Sequence, residues 1–153
     1  AKGIKPDKAE FSLLCADLSD LSKYAQHLSN PLFKMMKRAL PGPYTFILPA
    51  SSEVPKLYRS RKKTIGIRVP DHPVALHVLK ELGTPLVVSS VHDDDDLLEY
   101  TTDPELICER HGHVVDLVID GGTGQLEAST VFDCTGGEPE LVRQGLGPVE
   151  GLL

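Results

Sequence analysis

Apolar and polar positions along this chain switch between a two-residue and a 3.6-residue period, and the switches outline a series of strands and helices. Phe11-Ser12-Leu13-Leu14-Cys15-Ala16 is a short apolar run bounded by charged residues, which reads as a buried strand. From Ser19, taken as a helix cap, Leu21, Tyr24, Ala25 and Leu28 fall on one helical face. Pro31 opens a second helix, with Leu32, Met35, Met36 and Ala39 facing inward until Pro41 stops it. Residues 44–49 and 64–69 read as strands, separated by a polar, basic loop over 51–63. Asp71-His72-Pro73 caps and opens a helix that carries Val74, Val78, Leu79 and Leu82 and ends at Gly83. Residues 85–90 form a continuous apolar strand closing on two hydroxyls, the pattern of a buried central strand. A helix from Thr102-Asp103-Pro104 to His111-Gly112 follows, then a strand over 114–120 and a turn at Gly121-Gly122. Strands over 129–134 and 141–143 complete the pattern. Alternating elements of this kind predict an α/β protein, a single domain (1–153) with a twisted mixed sheet flanked by helices.

Composition narrows the classes. At 153 residues, 41% hydrophobic and 25% charged, the chain has the makeup of one globular domain with a full core. A formal charge of -6 excludes nucleic-acid binding by bulk electrostatics. It leaves room for a local basic surface, because Lys34, Lys37 and Arg38 form one cluster and Lys56, Arg59, Arg61, Lys62 and Lys63 another. Cys15, Cys108 and Cys134 lie far apart without metal-ligand spacing, so each reads as a small core residue in a reducing compartment, the cytoplasm or an organelle stroma. No apolar stretch reaches membrane-spanning length, so no membrane partner is expected.

The densest local signal is Pro41-Gly42-Pro43 running into Tyr44-Thr45-Phe46-Ile47-Leu48, followed by Thr64-Ile65-Gly66-Ile67-Arg68-Val69-Pro70. Pro-Gly-Pro holds a backbone corner, and Arg68 ends an apolar strand where its guanidinium calls for an anion. Taken alone, the segment slightly favours a plainer reading, an edge strand with an exposed arginine. Other strand ends also carry polar groups: Ser89 and Ser90 with His92 beyond, Ser129 and Thr130, and Arg143. Sheets of this class bind ligands at strand ends, and two arginines with several hydroxyls suit the phosphates of a nucleotide. No nucleophile–base pair stands out among the six histidines, so no catalytic residue and no protein-held metal is assigned. Asp93 to Asp96 reads as a solvated run, with magnesium carried by phosphates instead. Gly121-Gly122-Thr123-Gly124 lacks the lysine of a phosphate loop and reads as a plain turn.

Taken in order from about Lys2 to Gly147, these motifs resemble the YrdC-like threonylcarbamoyl-adenylate synthases, most of all their YciO-like subgroup. The motifs are PGPYTFIL, TIGIRVPDHP, PLVVSS, DGG, STV and LVRQG. The resemblance implies a nucleotidyltransferase that joins L-threonine, bicarbonate and ATP, with Mg2+ carried by ATP, into threonylcarbamoyl-adenylate and pyrophosphate. That product would serve the N6-threonylcarbamoyl modification of tRNA adenosine. The resemblance further implies that Lys2 binds phosphate in a K-x-R element, although Ile4 stands where the arginine would be, with Lys5 beside it. Thr45, Arg68, Ser129 and Arg143 match the family's PGP-x-T, VRVP, STV and LR-x-G elements. Ser90 matches the serine of its Ser-Ala-Asn element, with Val91 and His92 replacing the other two. The family's Pro-Thr-Asp-Thr and Tyr-Gly-Leu motifs would precede Lys2, so the chain is expected to lack the N-terminal portion of the domain. The altered elements at Ile4 and Val91-His92 support an alternative: an RNA- or nucleotide-binding protein with weak or no synthase activity. Its tRNA or double-stranded RNA would meet the loop carrying Lys56, Arg59, Arg61, Lys62 and Lys63.

Overall fold

Local chemistry sets where the elements start. In the computed structural model, which describes residues 11–91 and 101–153, Ser29 caps helix α2 (Asn30–Ala39) by accepting from the Leu32 amide, and Pro31 occupies its first turn. His72 caps α3 (Pro73–Leu82) through Nδ1, which accepts from Val74 N at 3.2 Å. Gly83 ends α3 at φ 76°, a left-handed conformation that costs glycine nothing. Asp103 caps α4 (Pro104–His111) in the same manner, accepting from the Glu105 amide. The expected serine-capped helix at Ser19 is reduced to one turn, α1 (Leu21–Tyr24), with Asp20 at its start. The Ser19 hydroxyl and amide both donate to the Asp17 carboxylate, and the cap position falls to Asp20, whose side chain makes no capping bond. Those two bonds hold the Asp17 carboxyl below its ordinary pKa. Ala25 leaves the helix to form a bridge with Ala50.

The chain divides into two compact units. The larger, Glu10–Val88 with Ser129–Leu153, holds a six-stranded sheet. Its strands are β1 (Ser12–Leu14), β2 (Tyr44–Pro49), β3 (Thr64–Arg68), β4 (Leu86–Val88), β5 (Thr130–Asp133) and β6 (Glu140–Arg143), in the order β4-β1-β3-β2-β5-β6. β1 with β3 and β2 with β5 are parallel, and the other pairs are antiparallel, so the mixed sheet expected from the sequence is present. Alternation along the strands gives the sheet two unlike faces. One carries Leu13, Ile65, Ile67, Phe46, Leu48 and Phe132, all buried in the main core with Leu32, Met35, Met36 and Ala39 of α2. The second face is taken up below.

Several expectations change. β3 lies in the middle of the sheet, so the edge-strand reading of Arg68 fails, while β4, expected to be central, stands at the end of the strand order among the described residues. The described part of the smaller unit, 89–91 and 101–128, holds α4 as its regular element, and the strand expected over 114–120 is absent. A strand exists only with a partner to complete its ladder, and none of the described residues pairs with this run, whose Val114, Leu117 and Ile119 stay exposed. Cys108 is exposed on α4, whereas Cys15 and Cys134 are buried as expected. Burial, reinforced by neighbouring aspartates, pushes the Cys15 thiol up to about 11 and the Cys134 thiol to about 12. Only the thiolate reacts. A disulfide-exchange reagent at pH 8 should therefore modify one thiol quickly in the native chain, at Cys108, and three after denaturation. Rapid labelling of Cys15 or Cys134 without denaturant would contradict this packing.

Candidate functional site

The second face of the sheet mixes apolar residues with most of the sheet's polar side chains. Ser12 pairs with Gly66, Gly66 with Ile47, and Ile47 with Asp133, so these four share that face. One step towards the Pro-Gly-Pro corner, Leu14 pairs with Arg68, and Thr45 pairs with Val131, which in turn pairs with Arg143. Phe46 opposite Ile67 brings Thr45 beside Arg68 in the next position. Arg68, Thr45 and Arg143 thus lie in one row across β3, β2 and β6, the two arginines three strands apart, roughly 14 Å at about 4.8 Å per strand. Strand direction explains the gathering: β3 and β6 end at the side of the sheet where β2 and β5 begin.

Ser129, just before β5, ties the row together. Its hydroxyl is 2.8 Å from Thr45 Oγ1 in a shared hydrogen bond. Its carbonyl accepts from Arg143 Nε at 3.2 Å and Nη2 at 3.0 Å. Three of the five guanidinium N–H groups of exposed Arg143 remain to meet an anion. Arg68 is half-buried beside the buried Thr45. The corner itself is fixed by Gly42 N donating to Val69 O at 3.0 Å, and a Cβ on Gly42 would lie 2.6 Å from Ala39 O. Among the described residues the row sets two cations beside two hydroxyls, groups whose chemistry suits phosphate or carboxylate oxygens. Asp133, further down the same face, has its carboxylate taken by the amide and hydroxyl of Thr135, which keep its pKa low.

Of the residues singled out from the sequence, Thr45, Arg68, Ser129 and Arg143 are therefore brought together. Ser90 belongs to the smaller unit, where it is exposed, and β4 leaves the sheet past Val88, which pairs with Ser12. Lys2, His92 and Asp93 to Asp96 lie outside the described residues. The basic loop is irregular as expected, with Lys56, Arg61, Lys62 and Lys63 exposed and Arg59 half-buried. It enters β3 at Thr64, opposite Pro49, and so sits at the end of the sheet away from the arginine row. Among the described residues, no group of three or more His, Cys, Asp or Glu is placed to hold a metal, and no helix is long and apolar enough to cross a membrane.

Sequence reasoning missed how the corner is fastened, although it had marked Thr130 as a polar strand-end residue. Tyr44 donates to Pro148 O at 2.8 Å, and a Cβ on Gly147 would come within 2.5 Å of the Tyr44 ring. Buried Thr130 bonds the same stretch of chain. The pair Gly145 and Gly147 was the only local hint of a close backbone approach.

Comparison with known proteins gives the family and agrees with the fold. A family model for Sua5, YciO and YrdC, described as telomere recombination, matches residues 1–145. The chain is 43% identical over 150 residues to YciO of Escherichia coli, covering 97% of this chain and 71% of that one. The E. coli YciO crystal structure superposes with a TM-score of 0.87 at 41% identity, over 97% of this chain and 71% of the other. A threonylcarbamoyl-AMP synthase of Pyrococcus abyssi is 28% identical over 153 residues, 99% of this chain but 44% of that protein. The structure of P. abyssi Sua5 complexed with L-threonine matches with a TM-score of 0.81 at 27% identity, over 94% of this chain and 42% of that one.

Proposed function

The chain belongs to the Sua5/YciO/YrdC family, and from that premise we propose that it is a threonylcarbamoyl-AMP synthase acting on L-threonine, bicarbonate and ATP. The observation that carries the reading is the row of Arg68, Thr45 and Arg143 held by Ser129 on the second face of the sheet. Similarity to a protein named for that synthase, and to a Sua5 structure holding L-threonine, supports the choice of substrates.

The chemistry asks little of acid–base groups. The threonine amine and bicarbonate condense to a carbamate with loss of water. A carbamate oxygen then forms a bond to the α-phosphorus of ATP while the bond to the bridging oxygen breaks, and pyrophosphate leaves. Such displacements are accelerated by holding the reactants in line and by balancing charge on the phosphoryl oxygens. Arg68 and Arg143 supply that charge, and the Thr45 and Ser129 hydroxyls orient phosphate or carboxylate oxygens. Magnesium enters with ATP, held by its phosphates. Lys2, Ser90 and His92 enter this reading through the family resemblance alone, apart from the row. The test is pyrophosphate release that requires both threonine and bicarbonate.

A second reading is favoured by the exposed cations of the 51–63 loop: an RNA-binding protein whose synthase activity is weak or absent. RNA held there would be lost as salt rises, because each phosphate contact releases counterions. The double variant Lys62→Ala/Lys63→Ala is expected to flatten the plot of log affinity against log salt by about 1 for each contact removed. An unchanged slope on a short RNA duplex would remove the loop from any RNA interface.

A further inference from the structure

Strand alternation alone does not bring Arg143 to the second face. Val131 pairs with Arg143 but Phe132 pairs with Leu141, so Val142 is an extra residue, a bulge. Without it, Arg143 would share the side of Leu141, which is the side of Phe132 and the core. The bulge turns the guanidinium to the side of Thr45 and Arg68. A bulge in an exposed edge strand keeps its shape only if the chain around it is held, and immediately after Arg143 the chain is pinned. Thr130, 0% exposed, uses its hydroxyl twice: it accepts from Gly145 N at 3.0 Å and donates to Gly147 O at 2.6 Å. Tyr44, paired with Thr130 across β2 and β5, takes Pro148 O and receives Gly147 against its ring. Residues 145–148 are thus a strap bound to the starts of β5 and β2.

We propose that Thr130 is a positioning residue: through the strap it holds the bulge, and so the direction from which Arg143 meets an anionic ligand. The inference rests on the reading of this corner as the nucleotide site. Removing the hydroxyl leaves the Gly145 N–H and the Gly147 carbonyl without their partner. The strap then relaxes and Arg143 keeps its charge but loses its orientation. The loss in nucleotide affinity is therefore bounded by the loss on removing Arg143 itself.

Thr130→Val keeps the branched shape and deletes both bonds; Thr130→Ser keeps both. MgATP affinity is measured by calorimetry on the full chain for these variants, for Arg143→Ala and for Thr130→Val/Arg143→Ala, with thermal unfolding followed in parallel. Thr130→Val is expected to bind about tenfold more weakly, Thr130→Ser to match the wild type, and the double variant to bind no more weakly than Arg143→Ala. Non-additivity is the mark of two residues acting through one guanidinium. Wild-type affinity in folded Thr130→Val, or fully additive losses in the double variant, overturns the proposal. Where Thr130→Val does not fold, Gly145→Pro removes the donor from the strap side and is read by the same criteria. Undiminished MgATP binding by Arg143→Ala overturns the nucleotide-site reading, a result distinct from Thr130→Val matching the wild type while Arg143→Ala is weakened.

Discussion

Replacing Arg68 or Arg143 with alanine is expected to weaken MgATP binding by roughly 10- to 100-fold, from the 1.5–3 kcal/mol typical of a hydrogen bond to a charged group. The two positions differ in kind. Arg143 is exposed and half engaged with the Ser129 carbonyl, so its alanine variant should fold normally and lose mainly ligand affinity. Arg68 is half-buried in the middle of the sheet, between Leu14 of β1 and the strand bearing Thr45. Its loss should also lower the unfolding temperature. Lysine at 143 would keep the charge and lose the fork that grips Ser129 and a phosphate together, and should recover only part of the affinity. Calorimetric titration of the three variants measures this directly. Wild-type affinity in both alanine variants would contradict the assignment of the row as the nucleotide site.

The second large effect belongs to the core beneath that row. Phe132, 0% exposed, stacks on Phe46 with ring centroids 5.6 Å apart and lies 6.5 Å from Tyr44. Phe132→Ala should cost about 3–5 kcal/mol, the loss of an aromatic side chain plus the cavity left behind. Against a total of roughly 5–15 kcal/mol for a domain, that consumes much of the stability. Phe132 also backs the strand pair that carries the bulge, since it faces Leu141. The variant should therefore weaken ligand binding even at temperatures where it stays folded. Urea unfolding gives the measurement; a loss below about 1 kcal/mol would mean that Phe132 is not packed as described.

Much of this was legible in the chain, and the reasons are physical. Strong local chemistry carried the Pro-Gly-Pro corner, the proline-opened helices α2, α3 and α4, and the strand pair β2 and β3. Arg68, Ser129 and Arg143 stood out because each ends or begins an apolar run, and Thr45 stood out through its match to the PGP-x-T element. What failed depended on distant partners. The run 114–120 has strand composition, but composition does not supply a ladder. Ser19 looked like a cap, but the helix starts one residue later, with Asp20 at the cap position and Ser19 turned to Asp17. The Thr130 hydroxyl reaches backbone groups 15 and 17 positions away, and the bulge at Val142 is a feature of the ladder; no side-chain pattern records either. Cys108 looked like core because its helix carries Leu106 and Ile107, yet Leu106 is 40% exposed and the thiol is exposed with it.

The central claim is that the second face of this sheet activates threonine through ATP. Pyrophosphate release from MgATP by the full chain, with threonine and bicarbonate each supplied or withheld, tests it most directly. The account predicts release that needs both co-substrates and falls sharply in Arg143→Ala. Release that ignores threonine, or none at all from a folded chain that still binds ATP or RNA, would contradict it and leave a binding protein in its place.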